Sequence, residues 1–158
     1  MEQQLEMDAL QNVQSDDYEQ FIVVMIGKEQ YGIDINLIDN IVRIPKITRI
    51  PKSQPYYLGV INLRGEVVPV MSLRRRFGLD EDEYTGKTRI IIVKMEDNSM
   101  VGVMVDEVRE VINLTEDDIE APNFQTHDES EIYLLGIGKV QKELVSLLNM
   151  ENVINDKE

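Results

Sequence analysis

Short apolar runs alternate with polar punctuation along this chain, and the runs have the length of strands. Phe21 to Ile26 is apolar and β-branched, Gly27-Lys28-Glu29-Gln30 turns it, and Tyr31-Gly32-Ile33-Asp34-Ile35 alternates back. That pattern predicts a hairpin. Ile38, Ile41 and Val42 then fall at i, i+3 and i+4, which predicts one helical turn before a new strand. Pro45, Pro51 and Pro55 punctuate a connector that a regular helix could not cross. Gly59 to Leu63 and Glu66 to Val70 flank Arg64-Gly65 and predict a second hairpin with a tight turn. Gly65 can take the positive φ of such a turn, and Arg64 is left at a wet apex. Ser72 to Gly78 predicts a short helix closed by glycine, its arginines near the negative end of the dipole.

The same order recurs further along. Ile90 to Val93, a turn at Glu96-Asp97-Asn98-Ser99, and Val101 to Val105 repeat the first hairpin. Gly32, Ile33 and Ile35 match Gly102, Val103 and Val105 at a spacing of 70, and Ile38, Ile41 and Val42 match Val108, Val111 and Ile112. Gly136 to Leu148 then repeats the second hairpin at a spacing of 77, so the second connector, Asn113 to Glu131, has gained seven residues. In that repeat Arg64-Gly65 becomes Gln141-Lys142. The scaffold is doubled and the tip is not. An internal duplication with about five short strands per half predicts a mainly β fold. The expected architecture is two small five-stranded antiparallel barrel lobes, side by side on a shared hydrophobic core, with few short helices. The halves run over about 18–79 and 88–151 of a domain at 18–154, after a flexible acidic segment at 1–17 and before a tail at 155–158. Leu148 to Ile154 reads as a last short helix.

Composition narrows the function. There is no cysteine, and a chain of 158 residues can bury a core without disulfide or metal. The N-terminus is acidic and does not resemble a signal peptide, and no run approaches the roughly 18 apolar residues of a membrane span. A reducing cytoplasm fits these features. The net charge of −14 would repel a phosphate backbone. It is unevenly placed, however. Residues 43 to 76 hold eight basic residues against the single acid Glu66, a local +7, while the remainder carries −21. Such asymmetry suits one face that meets an acidic partner.

No catalytic constellation survives inspection. The single histidine, His127, lies in the acidic stretch Thr126 to Glu131, and a general base needs a fixed position. Zinc lacks ligands. Gly86-Lys87-Thr88 resembles the end of a phosphate loop, but Glu81 stands where the motif needs its first glycine, so it reads as a turn. Asp80 to Glu83 has the wrong spacing for calcium, and Gly136-Ile137-Gly138 is an incomplete dinucleotide fingerprint inside a strand. The expectation is a non-enzyme without cofactor or metal. Among binding classes, a small-barrel RNA binder would need a basic, aromatic-rich face, and the basic segment offers only Tyr56 and Tyr57.

Asn62-Leu63-Arg64-Gly65 within GVINLRGEVVPV resembles the signature of the bacterial chemotaxis coupling family, the CheW-like proteins. Tyr31-Gly32-Ile33-Asp34-Ile35, Ile47-Thr48-Arg49-Ile50-Pro51 and Val101 to Val108 extend the resemblance over about Tyr18 to Ile154. The resemblance implies two SH3-like barrels. It also implies an adaptor in the cytoplasm, recruited to membrane-associated arrays, that couples chemoreceptor cytoplasmic tips to the regulatory domain of the CheA histidine kinase, with rings closing among such domains. A stand-alone scaffold of the kinase regulatory type is the alternative. No nucleic acid and no membrane insertion are expected. The implied contact surface carries over to Asn62, Leu63, Arg64 and Gly65, with Ile38, Asn40 and Ile41 as a second patch. Asn40 stands where the family usually has an acid, and Ser72 where an aspartate is common, which would make this face less acidic.

Overall fold

In a computed structural model that describes residues 18–80, 83–121 and 132–155, the apolar runs form strands buried on both sides. The first half gives β1 (Glu19–Ile26), β2 (Glu29–Asp34), β3 (Ile38–Val42), β4 (Tyr57–Leu63), β5 (Glu66–Ser72) and helix α1 (Leu73–Arg76). The second gives β6 (Arg89–Lys94), β7 (Met100–Val105), β8 (Glu107–Leu114), the short β9 (Ile119–Glu120), β10 (Leu134–Val140), β11 (Glu143–Leu148) and helix α2 (Met150–Asn155). They assemble into a six-stranded sheet, β8-β1-β2-β11-β10-β9, and a five-stranded sheet, β3-β6-β7-β5-β4.

Each sheet is therefore built from both halves. β3 leaves the first half to pair with β6, and β8 leaves the second to pair with β1. The exchange is reciprocal, so replacing each strand by its repeat converts one sheet order into the other, with β9 added. Two of the joins are parallel, β2 with β11 and β5 with β7, where the sequence pattern predicts only antiparallel pairing. A parallel join needs a long crossover, and the exchanged strands supply it.

The core explains the continuous apolar runs. Phe21 and Val23 of β1 face a cluster private to the first sheet, while Ile22, Val24 and Ile26 face a cluster between the sheets. Their counterparts Ile90 and Ile92 of β6 enter the second sheet's private cluster, and Ile91 and Val93 enter the shared one. Each fully buried aliphatic side chain stabilises the fold by about 1.5–3 kcal/mol, and the shared cluster ties the sheets together.

The approximate twofold extends to the helices. Ser72 caps α1 by accepting from the Arg75 amide, and Asn149 accepts from the Asn152 amide at the start of α2. Ser72 is fully buried. Its difference from an aspartate thus bears on a helix cap and not on the charge of a surface. Arg76 lies at the centre, its guanidinium between the matched rings of Tyr56 and Tyr133 and its Nε donating to the Val153 carbonyl at 2.8 Å.

The helical turn expected at Ile38 to Val42 is a strand. The turn comes three residues earlier, as a 3-10 turn at Ile35–Leu37 whose amide at Asn36 bonds the Asp34 side chain. Apolar residues at i, i+3 and i+4 also suit a short strand that has a bulge, and here pairing with β6 decides. Gly86-Lys87-Thr88 is a turn, held by Thr85 and Thr88. His127 and the segment 1–17 lie outside the described residues.

Candidate functional site

β4 and β5 pair in uninterrupted register from Gly59↔Val70 to Leu63↔Glu66, which leaves Arg64 and Gly65 as a two-residue turn. Arg64 has φ 52° and Gly65 φ 86°, as a type I′ hairpin turn requires. Positive φ is free for glycine and costs an arginine about 1 kcal/mol. Asn62 braces the turn, since its Oδ1 accepts the Gly65 amide at 3.0 Å. Leu63 is half-buried against the second sheet's private cluster. Of the four motif residues only Arg64 offers an exposed charge, and its side chain is 70% accessible.

The second patch is brought to the same place. The curl of the sheet carries this hairpin tip to β3, where Arg64 Nη2 donates to Asp39 Oδ2 at 3.3 Å. The register of β3 on β6 steps at Asp39, between Ile38↔Val93 and Asn40↔Ile92. That bulge re-aims the carboxylate. Asn40 is turned to local work, its Oδ1 accepting the Ile41 amide at 2.8 Å. Ile38 packs on the shared core, while Ile41 is 36% exposed. The carboxylate beside Arg64 thus comes from Asp39, one residue ahead of the position where the resemblance places an acid.

A groove of about 370 Å³ opens beside the pair, lined by Asp39, Leu63, Arg64, Glu66, Lys94 and Met100, with Asn98 completing its wall. Lys94, Asn98 and Met100 belong to the β6–β7 hairpin, which strand exchange sets next to β3. Sequence reasoning missed them because nothing local links them to Arg64. Among the described residues no group of three or more His, Cys, Asp or Glu could hold a metal ion. No helix among them is long and apolar enough to cross a membrane.

A charged turn over a groove of mixed polarity is suited to contact with a partner. The CheW-like domain family matches this chain over residues 20–158. The chain belongs to that family. Chemotaxis protein CheW of Bacillus subtilis is 38% identical over 140 residues, covering 89% of this chain and 88% of the relative. That of Helicobacter pylori is 38% identical over 135 residues, covering 85% and 81%. The crystal structure of the scaffolding protein TtCheW from Thermoanaerobacter tengcongensis superposes with a TM-score of 0.80 at 33% identity, covering 89% of this chain and 97% of that one. CheW-like proteins are scaffolds of chemotaxis and not enzymes, and this mainly β chain shares their fold.

Proposed function

We propose that this protein couples the cytoplasmic tips of chemoreceptors to the regulatory domain of a CheA histidine kinase, in the cytoplasm at membrane-associated arrays. The observation that carries the reading is Arg64. It is held in a backbone conformation that arginine disfavours, braced by Asn62, oriented by Asp39 and left exposed over a groove. A strained, exposed cation serves folding poorly and recognition well. Its fork can pair with a carboxylate of a receptor helix, while Leu63 and Met100 offer that helix apolar contact.

The approximate twofold supports the kinase side. Val67 and its counterpart Leu144 are 69% and 60% exposed, and Ile41 and its counterpart Val111 are exposed too. Each sheet therefore shows apolar side chains at matched places, which fits end-to-end pairing with a related double-sheet domain and closure into rings. The signal would pass as a shift in the kinase's conformational population. Calorimetric titration with the regulatory domain of a CheA kinase from the same organism tests this. Saturable binding of micromolar order is expected, and no binding between two folded proteins would sink the kinase contact.

A further inference from the structure

The +7 of residues 43 to 76 is not spent at the Arg64 tip. Arg43, Lys46, Arg49 and Lys52 lie on the connector between β3 and β4, with no acid among residues 43 to 52. All four are exposed. None has a hydrogen-bond or ion-pair partner among the described residues. The connector sits at the far end of the sheet from the tip, since it meets β4 at its start and β3 at its finish.

A second groove, of about 430 Å³, opens there. Ile44, Ile47, Tyr57 and Leu58 give it apolar lining, and Arg49, Arg75 and Tyr84 give it polar lining. It shares no residue with the groove beside Arg64. The connector is also pre-shaped. Thr48 and Val60 exchange two backbone hydrogen bonds of 2.8 Å, the Tyr57 amide donates to the Gln54 carbonyl at 3.0 Å, and Arg75 Nη1 donates to the Pro55 carbonyl at 3.2 Å. With three prolines, little backbone freedom is left to lose on binding.

We infer that this face is a second docking surface, and that it takes an acidic peptide segment carrying apolar side chains. Arg49 at the groove, with Arg43, Lys46 and Lys52 on the same connector, matches that chemistry, carboxylates toward the cations and aliphatic groups on the apolar lining. An extended polyanion fits worse. The protein as a whole carries −14, and a membrane or nucleic acid would feel that repulsion beyond the connector, whereas a short peptide stays within one Debye length, about 8–10 Å, of the cations. Asp80 to Glu83 precede Tyr84 in sequence, but no acid lies among residues 43 to 52 themselves. This surface stands independently of the kinase and receptor contacts proposed above.

The test is fluorescence anisotropy with a labelled amphipathic peptide of glutamate, alanine and leucine, titrated with the full chain. Saturable binding that weakens with salt is expected. Lys46→Glu with Arg49→Glu should weaken it about tenfold, while Arg64→Ala leaves it within about twofold. Melting temperatures of the variants check that the fold persists, and Arg43→Glu with Lys52→Glu supplies a second reversal should the first pair unfold. Amide shifts confined to residues 43–58 would place the peptide. The inference is overturned by no binding to the wild type, by equal affinity after both reversals, or by loss in Arg64→Ala alone. Preference for anionic phosphatidylglycerol vesicles over the peptide would overturn it in favour of a lipid surface.

Discussion

The β4–β5 and β10–β11 hairpins are one scaffold with two tips. Both pair in the same register, both slip once near the start of their first strand, at Tyr57/Gly59 and at Leu134/Gly136, and both place a non-glycine residue at positive φ in the turn. Arg64 has φ 52° and Gln141 φ 57°. Beyond that the tips part. Asn62 braces the first turn, whereas its counterpart Lys139 reaches Glu120 at 2.6 Å instead. Arg64 meets Asp39 over a groove of which nothing in the second hairpin's sequence gives a sign. The shared features are those the core demands, and the divergent ones face solvent. Duplication preserves what packing holds and releases what it does not.

The largest effect expected is at the slips. A Cβ on Gly59 would lie 2.2 Å from the Thr48 carbonyl oxygen, with φ at +145°, so Gly59→Ala must push backbone apart and adopt a strained φ. A loss of about 3 kcal/mol or more is expected in denaturant unfolding. At Gly136 the Cβ would meet the Glu120 oxygen at 2.7 Å without positive φ, so Gly136→Ala should cost less, about 1–2 kcal/mol. Equal losses would mean that the two connectors are equally yielding and that the comparison fails at its base.

A latch distinguishes the halves next. Asp106 accepts from Arg74 Nε at 2.8 Å and Nη2 at 2.6 Å, and from the Gly27 amide at 2.8 Å, tying the β1–β2 turn to α1. The residue that repeats Arg74 is Glu151, which instead accepts from Asn155. Partial burial raises the Asp106 pKa, but the bonds from Arg74 and Gly27 outweigh it, so the pKa lies below the ordinary carboxylate value. The latch therefore stabilises the fold fully above about pH 4 and is lost as pH falls through the lowered value. Asp106→Asn should cost about 2 kcal/mol at pH 7, and the gap to wild type should narrow as pH falls below the ordinary carboxylate range. A gap that stays constant through acid pH would show that the carboxylate's charge is not what holds the latch.

Smaller in stability and larger in function are the tips. Arg64→Ala should weaken association with receptor or kinase about tenfold, ~1.4 kcal/mol, and move stability by less than about 0.5 kcal/mol. A large drop in melting temperature would make Arg64 structural. Gly65 has nothing within 4 Å of a built Cβ, so Gly65→Val meets no clash, only the penalty of φ +86° for a β-branched residue. About 1–2 kcal/mol of stability and part of the binding should go. Lys142→Val at the other tip, where no positive φ is needed, should be close to neutral in calorimetry.

Much of this was legible in the sequence because glycines and apolar periods mark local structure. The hairpins, the duplication, the helix after Ser72 and the exposed Arg64 follow from residues close in the chain. Partner choice between strands does not. β3 and β8 carry patterns that fit either sheet, and in the structure each pairs with the first strand of the other half, β3 with β6 and β8 with β1. The unread part of the site follows from that one gap. Lys94 and Asn98 reach the groove because β6 lies beside β3, and Asp39 reaches Arg64 across 25 residues because a bulge turns it. Asn40, the position the family resemblance singled out, is one residue from the carboxylate that meets Arg64.

The smallest effect sharpens the comparison furthest. Arg64 and Asp39 share a single contact of 3.3 Å with side chains 70% and 32% accessible, so the pair should add less than about 0.5 kcal/mol to stability. The role proposed for it is orientation of the guanidinium, and that role makes a distinct prediction for a double-mutant cycle read by partner binding. Asp39→Asn should weaken association about threefold, and Asp39→Asn with Arg64→Ala should be no weaker than Arg64→Ala alone, because a positioning carboxylate has nothing left to position. Additive losses would mean that Asp39 touches the partner itself, and tighter binding in Asp39→Asn would mean that it competes with the partner's carboxylate for the fork. An ion pair on the other hairpin, Lys139 with Glu120 at 2.6 Å, is shorter and just as exposed, yet Glu120→Gln should change neither stability nor that association. The contrast expected between the two pairs is that one orients a binding tip and the other does not, whatever their strengths.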